Sequence, residues 1–258
     1  MEAQWEYRAV LAVDIEKSSG RGNVALLRNR EALRTLLREA FRRSGVDWER
    51  CVRADLGDGL RVTAPAGTPK ARLVHPLVQE LAGLLRDHNS AQDDRATRIR
   101  VRVALHAGEV SLSPDGEVAG SPLEILARLL DAPAARAALA RAPRTVPVSL
   151  LLSQHVHDET VRHGYSGIDP AAFRKVEVKV KEFTAAAWLH TPGWLPPDEA
   201  EKAEKAEKAA EPGDDVAAAG RRDGSSQGAS KQVNKASRKG VVYAAQNGDQ
   251  HIRITGKR

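Results

Sequence analysis

Residues 7–15 (Tyr7-Arg8-Ala9-Val10-Leu11-Ala12-Val13-Asp14-Ile15) form an apolar run that ends in an acidic side chain. Continuous apolar character without alternation predicts a strand buried on both faces, and such a strand lies in the middle of a sheet. Asp14 is thereby placed at the C-terminal end of a central strand. A polar stretch, residues 16–22, leads to Asn23, whose short polar side chain suits a helix N-cap. From there Leu26, Leu33, Leu36, Leu37, Ala40 and Phe41 recur at helical spacing up to Ser44-Gly45.

The rest of the order follows from the same signals. Short strands are expected at 50–55 and 60–64, around the turn Gly57-Asp58-Gly59, because Asp-Gly between apolar runs is a strong hairpin signal. A helix is predicted over 69–88, with Pro69 in its first turn. The alternation in 99–105 reads as a strand with one wet face. Residues 106–110 and 117–120 flank Ser113-Pro114-Asp115-Gly116 and form a second expected hairpin. A third helix is predicted over 121–142, a strand over 146–152 and a short helix over 153–163. Two final strands, 173–181 and 184–190, complete the order. It amounts to an α/β (α+β) domain with a ferredoxin-like βαββαβ core, extra hairpin and strands, and an antiparallel-rich sheet flanked by helices.

Three segments are expected: a folded domain over 1–190, a charged flexible linker over 191–232, and a basic tail over 233–258. The linker repeats Glu-Lys-Ala from Glu201 to Ala209, where i,i+4 pairs favour a solvated helical spacer, and then becomes rich in Gly, Ser and Ala, a disordered composition. The tail carries Asn247-Gly248 between two β-prone runs, a type I′ hairpin signature. A lone hairpin is marginal in water, so the tail is read as a contact for a protein partner. Cys51 is the only cysteine, so no intrachain disulfide forms. With no apolar leader at the start and no apolar run long enough to span a bilayer, the expectation is a cytoplasmic protein away from membranes. The formal net charge is +6, carried largely by arginines on helices and by the tail. Solvated arginine faces need no ligand, which argues against a nucleic-acid partner.

Asp14 and Asp58 carry the chemistry. In a β-α-β-β arrangement the hairpin holding Asp58 commonly lies beside the first strand, bringing two carboxylates to one sheet end. Paired carboxylates are hard oxygen ligands that suit Mg²⁺ or Mn²⁺. The bland alternative is that Asp14 caps a helix and Asp58 only makes a turn. Elsewhere His155, Glu159 and His163 stand at i, i+4 and i+8, which reads as an exposed polar face, not a metal site. His106 is expected to close its strand by hydrogen bonding, and Trp48 and Trp188 to pack at the core or its rim.

Val13-Asp14-Ile15, Leu56-Gly57-Asp58-Gly59, the run from Val103 through His106 and Gly108 to Val110, and Gly120-Ser121-Pro122-Leu123-Glu124 followed by Arg128 stand in an order and spacing that resembles the class III adenylate/guanylate cyclase homology domain. The resemblance covers residues 5–190. It implies a homodimer that converts a nucleoside triphosphate to a cyclic nucleotide and pyrophosphate with two Mg²⁺ or Mn²⁺ ions. It further implies Asp14, Asp58 and the Ile15 carbonyl as metal ligands. Arg128 would stabilise charge on the phosphate at the site of the other protomer, since family sites form between two chains. The family's ribose-orienting Asn matches Glu124, its base-reading positions match Ala54 and Ser121, and Arg53 is one residue out of register on a strand. Its Gly-Phe-Thr is replaced by residues 16–20, where Ser18, Ser19 and Gly20 still offer backbone N–H groups to a triphosphate. Two readings stay open: a divergent nucleotidyl cyclase, and an impaired cyclase-fold regulator that binds a nucleotide or a protein.

Overall fold

The computed structural model describes residues 4–196; the readings for the linker beyond Pro196 and for the tail lie outside them. β1 (Gln4–Ile15) and β4 (Val101–Leu112) pair antiparallel along their whole lengths, from Gln4↔Leu112 to Ile15↔Val101. β2 (Val52–Asp55) and β3 (Gly59–Thr63) form the hairpin that adds to the free edge of β1. On the other side, β6 (Val148–Ser153) runs parallel to β4, followed by β8 (Phe183–His190) and β7 (Arg174–Val180). The sheet order is β2-β3-β1-β4-β6-β8-β7, and the two-residue β5 (Val118–Ala119) pairs with the far end of β4.

Alternation along the central strands feeds two cores. Leu11, Val13 and Ile15 of β1, with Val103 and Leu105 of β4, meet α1 (Asn23–Arg43) and α3 (Leu77–Ser90) through Leu37, Phe41, Leu81 and Leu85. Val10, Ala12 and Ala104 face the other way, toward α4 (Ser121–Leu130) and α5 (Pro133–Arg141), against Leu126, Leu129 and Ala135. Asp14 and Arg102 share this second face by the same period. Both faces of β4 are therefore covered beyond Arg102, and the wet face expected for 99–105 is confined to Arg100 and Arg102.

Two predicted helices are each broken by a proline. The expected helix over 69–88 divides into α2 (Lys70–Val74) and α3, because His75, preceding Pro76, is driven to an extended conformation with φ −142° and ψ 128°. The expected helix over 121–142 divides in the same way at Ala132, ψ 132°, before Pro133. Gly22, with φ 83°, precedes α1 as its cap residue, so Asn23 is the first helical residue and not the cap. The segment expected as a helix over 153–163 holds α6 (Gln154–Glu159), capped by the Ser153 hydroxyl, and then a single 3₁₀ turn over 161–163. His106 does not close its strand, since β4 runs on to Leu112; its Nδ1 instead lies 2.8 Å from Ser153 Oγ on β6. Trp188 stacks on His157 with ring centroids 3.5 Å apart, and Trp48 packs edge-on against Phe41. Among the described residues no helix is long and apolar enough to cross a membrane.

The β1–β3 pairing needs glycine at position 59. A Cβ there would lie 2.1 Å from the Val13 carbonyl oxygen and 2.9 Å from Asp14 Cα, both backbone atoms that move only with the strand. Gly59→Ala is therefore expected to destabilise the domain by about 3 kcal/mol, read as a shift in the denaturant midpoint at unchanged slope. A loss below about 1 kcal/mol would contradict this close packing.

Candidate active site

The β2–β3 turn holds Asp58 against the end of β1 through the backbone. Ile15 N donates to the Asp58 carbonyl at 3.1 Å, and Leu56 N donates to the Gly59 carbonyl at 3.1 Å. Gly57 takes φ 87°, which a side chain rarely adopts, and its N–H donates to Asp55 Oδ1 at 2.7 Å. Asp14 stands one register step away, opposite Gly59 on β3 and opposite Arg102 on β4. The loop after β1 folds back over the turn, where Ser18 Oγ donates to Asp58 Oδ2 at 2.5 Å. Ile15, Ser18, Ser19, Asp58, Arg102 and Arg136 surround a cleft of about 380 Å³.

Arg102 dominates the electrostatics. Its Nε donates to Asp14 Oδ1 at 2.8 Å and a terminal nitrogen to Oδ2, a two-pronged ion pair in which both side chains are nearly buried. Burial pushes the Asp14 carboxyl above its ordinary range. Arg102 opposes that shift, the nearby Asp58 charge adds to it, and Arg136 on α5 weakly opposes it. Asp14 thus lies behind a guanidinium, and Asp58 faces the cleft. Arg102 was not among the residues singled out from sequence. Its signal was present in the Arg100-Val101-Arg102 alternation, but the partner depends on the β1–β4 register, which sequence spacing does not give.

No family model matches the sequence, and no curated protein matches it. Solved structures do. The guanylyl cyclase Cya2 aligns over 76% of this chain and 97% of its own, with a TM-score of 0.53 at 14% identity. A bacterial light-regulated adenylyl cyclase aligns over 81% of this chain and 58% of its own, with a TM-score of 0.52 at 11% identity. The chain has a nucleotidyl-cyclase-like fold.

Within this cyclase-like fold the candidates on α4 stand apart from the carboxylate pair. Ser121 and Glu124 are exposed on the first turn of α4. That turn begins where Gly120 packs on Glu109 and Val110, seven or more strand residues from Arg102, or roughly 25 Å along β4. Arg128 donates to Glu182 Oε1 at 2.7 Å, in the β7–β8 turn. Ala54 is half-buried on β2, and Arg53 points to the opposite face, its guanidinium 5.1 Å from the Trp48 ring. Ser18 and Ser19 line the cleft; Gly20, φ 82°, lies outside its lining. His155 and Glu159 share a face of α6, 3.5 Å apart, but His163 lies beyond it in the 3₁₀ turn, since α6 ends at Glu159. His155 Nε2 meets the Tyr7 hydroxyl at 2.5 Å, and Glu159 pairs with Lys70 at 2.9 Å. Among the described residues no three His, Cys, Asp or Glu side chains converge as a metal cluster.

Removing Arg102 should strand a buried carboxylate. Arg102→Met is expected to cost about 3 kcal/mol at neutral pH, and adding Asp14→Leu should restore at least about half of it. The raised Asp14 pKa favours the protonated form in the folded state, so the penalty grows as pH rises through and above the carboxylate range and shrinks in acid. Urea unfolding of the single and double variants at two pH values measures both effects. Additive losses in the double variant would show that the pair is not coupled.

Proposed function

We propose that the chain is a divergent nucleoside-triphosphate cyclase whose site is completed by a second copy of itself. The observation that carries this reading is the approach of Asp14 and Asp58 at one strand end of a cyclase-like fold, where the Asp58 charge is felt at Asp14. The donor chemistry fits a hard divalent cation: two carboxylates and the Ile15 carbonyl are all oxygen ligands. Each carboxylate oxygen engaged by one donor keeps a second lone pair. Asp14, Asp58 and the Ile15 carbonyl would hold Mg²⁺ or Mn²⁺, as the family resemblance implies for two ions. Bound there, the cation would supply Lewis acidity at an attacking hydroxyl and neutralise phosphate charge.

The reaction joins the ribose 3′-oxygen to the α-phosphorus and breaks the bond to the β-phosphate bridge, releasing pyrophosphate. This chain's residues orient and stabilise. Ser18 and Ser19 line the cleft, and backbone N–H groups of 18–20 would be the donors offered to phosphate oxygens. Arg102 and Arg136 bring positive charge to the same cleft. Arg128 is tied to Glu182 in the β7–β8 turn and does not line the carboxylate cleft, which favours its acting at the site of a second copy, on charge that develops at the phosphate. Its tie to the well-exposed Glu182 is a surface ion pair, weak enough to exchange for a phosphate.

The second reading, a regulator on the same fold, is favoured by Ala54, Ser121 and Glu124. Alanine and serine offer little to discriminate a base, and a carboxylate at 124 accepts where an amide would also donate. Incubation of the full chain with each of the four common nucleoside triphosphates and Mn²⁺, with mass detection of cyclic nucleotide and pyrophosphate, separates the two. Turnover with any of them is expected, and its absence with all four favours the regulator. Asp58→Asn should abolish Mn²⁺ binding in calorimetry and leave the metal-free fold as stable or slightly more so. Unchanged Mn²⁺ affinity would remove the metal assignment.

The composite site has its own test. Asp58→Asn and Arg128→Ala should each be inactive alone. Mixing them should recover up to roughly a quarter of wild-type turnover, because a random heterodimer restores one site of two. No recovery after verified subunit exchange would mean that each chain holds a complete site.

A further inference from the structure

A second cleft, of about 560 Å³, opens beside the first at the end of the sheet where β1 finishes and β4 and β6 begin. Six arginines line it: Arg21, Arg86, Arg95, Arg98, Arg100 and Arg144. Lys17 adds a seventh cation, and Glu16 is the one acid in the lining. Its cations fall into two kinds. Arg21, Arg98 and Arg100 are pinned to backbone carbonyls. Arg21 donates to the Glu16 carbonyl at 2.6 Å and to that of Arg98 at 2.6 Å, Arg98 to that of Gln92 at 3.1 Å, and Arg100 to that of Val146 at 3.1 Å. Carbonyls orient a guanidinium but do not neutralise it. Among the described residues Arg100 alone of these three makes an ion pair, with Glu16 at 3.4 Å, whose charge also reaches Arg21. The nearby Asp94 carboxylate is occupied in capping the turn at Ala96. The second kind, Arg86, Arg95 and Arg144, is exposed and makes no ion pair among the described residues.

Such a concentration of like charge is unfavourable in a protein by itself. Burial lowers the pKa of both Arg21 and Arg100; the Glu16 charge opposes this at both, and at Arg100 the Arg144 charge adds to it. A bound anion would relieve both the burial and the repulsion. We propose that this cleft binds a compact polyphosphate, separately from the carboxylate cleft, with Arg21 and Arg100 as the fixed floor and Arg86, Arg95 and Arg144 closing on the ligand. The volume suits a small molecule. The lining has no aromatic ring on which a base could stack, so recognition falls on phosphate and not on nucleobase. Glu16, Lys17 and Ala140 line both clefts. A ligand in the second therefore touches the loop that bonds Asp58, although its binding does not depend on cyclase activity.

Polyphosphate of this kind comes either free or as the phosphates of a nucleotide. Calorimetry on the full chain, with tripolyphosphate and then ATP in excess chelator, tests the site without any metal at Asp14 or Asp58. Tripolyphosphate should bind, and Arg86→Ala/Arg144→Ala should weaken it by roughly tenfold or more, as expected for two lost phosphate contacts. Neither side chain makes a structural bond, so the variant should melt like the wild type. Equal affinity for ATP and tripolyphosphate assigns the site to free polyphosphate. Tighter ATP binding that is lost in the same variant assigns it to a nucleotide's phosphates. Binding that is unchanged in the variant, or that sulfate at matched ionic strength reproduces, overturns the proposal. The absence of any metal-free binding does so as well.

Discussion

The rest of the domain hangs on the antiparallel ladder between β1 and β4. Twelve residue pairs run from Gln4↔Leu112 to Ile15↔Val101, and the segments that follow attach to one side or the other of this ribbon. Because both faces are buried, the period of two is enforced twice. Odd positions of β1 meet the α1–α3 layer, and Val10 and Ala12 meet the α4–α5 layer. Slipping the register by one residue would exchange these sets and move Asp14 into the wrong layer. The position of the acidic group follows from packing on either side of it.

That ladder also explains which parts of the fold were legible in the sequence. The central strand was readable because nothing but double burial calls for an unbroken apolar run. The hairpin was readable because Gly57-Asp58-Gly59 supplies the turn chemistry locally, and Gly59 turns out to be required by the approach of the Val13 carbonyl. The two helix breaks were legible in principle, since Pro76 and Pro133 stand inside runs of helical period. The expected helices take no account of these two prolines, yet each drives the residue before it out of the helix: His75 and Ala132 both take extended ψ values of about 130°. The alternation in 99–105 implied a wet face, but it holds only where arginines occupy it. Beyond Arg102, Ala104 and Val110 on the same face carry the α4 layer.

The candidate site was legible residue by residue but not pair by pair. Asp14 and Asp58 are marked by local sequence, a strand end and a turn. Arg102 lies 88 residues from Asp14, and the two meet only because β4 is the strand that pairs with β1. Similarly Arg128 and Glu182 come together through the β7–β8 turn, whose place over the end of α4 depends on the full sheet order. Charges that meet across a sheet leave no periodic trace, because neither partner's neighbours report the other.

The pairing of Asp14 with Arg102 bears on how a divalent cation would enter. Near Asp14 stand the Asp58 carboxylate, the nearly buried Arg102 and, more weakly felt, the exposed Arg136, which also pairs with Asp131 at 3.1 Å. A dication arriving alone would add positive charge beside the nearly buried Arg102, at low local dielectric. With a polyphosphate that added charge would be offset, since phosphate oxygens would offer Arg102 a bidentate partner in place of Asp14. Metal and anion affinities at such a site are therefore linked, and by reciprocity each strengthens the other by the same factor. The feature that makes Asp14 look occupied in the free protein is then the one that would make its metal affinity depend on a phosphorylated ligand.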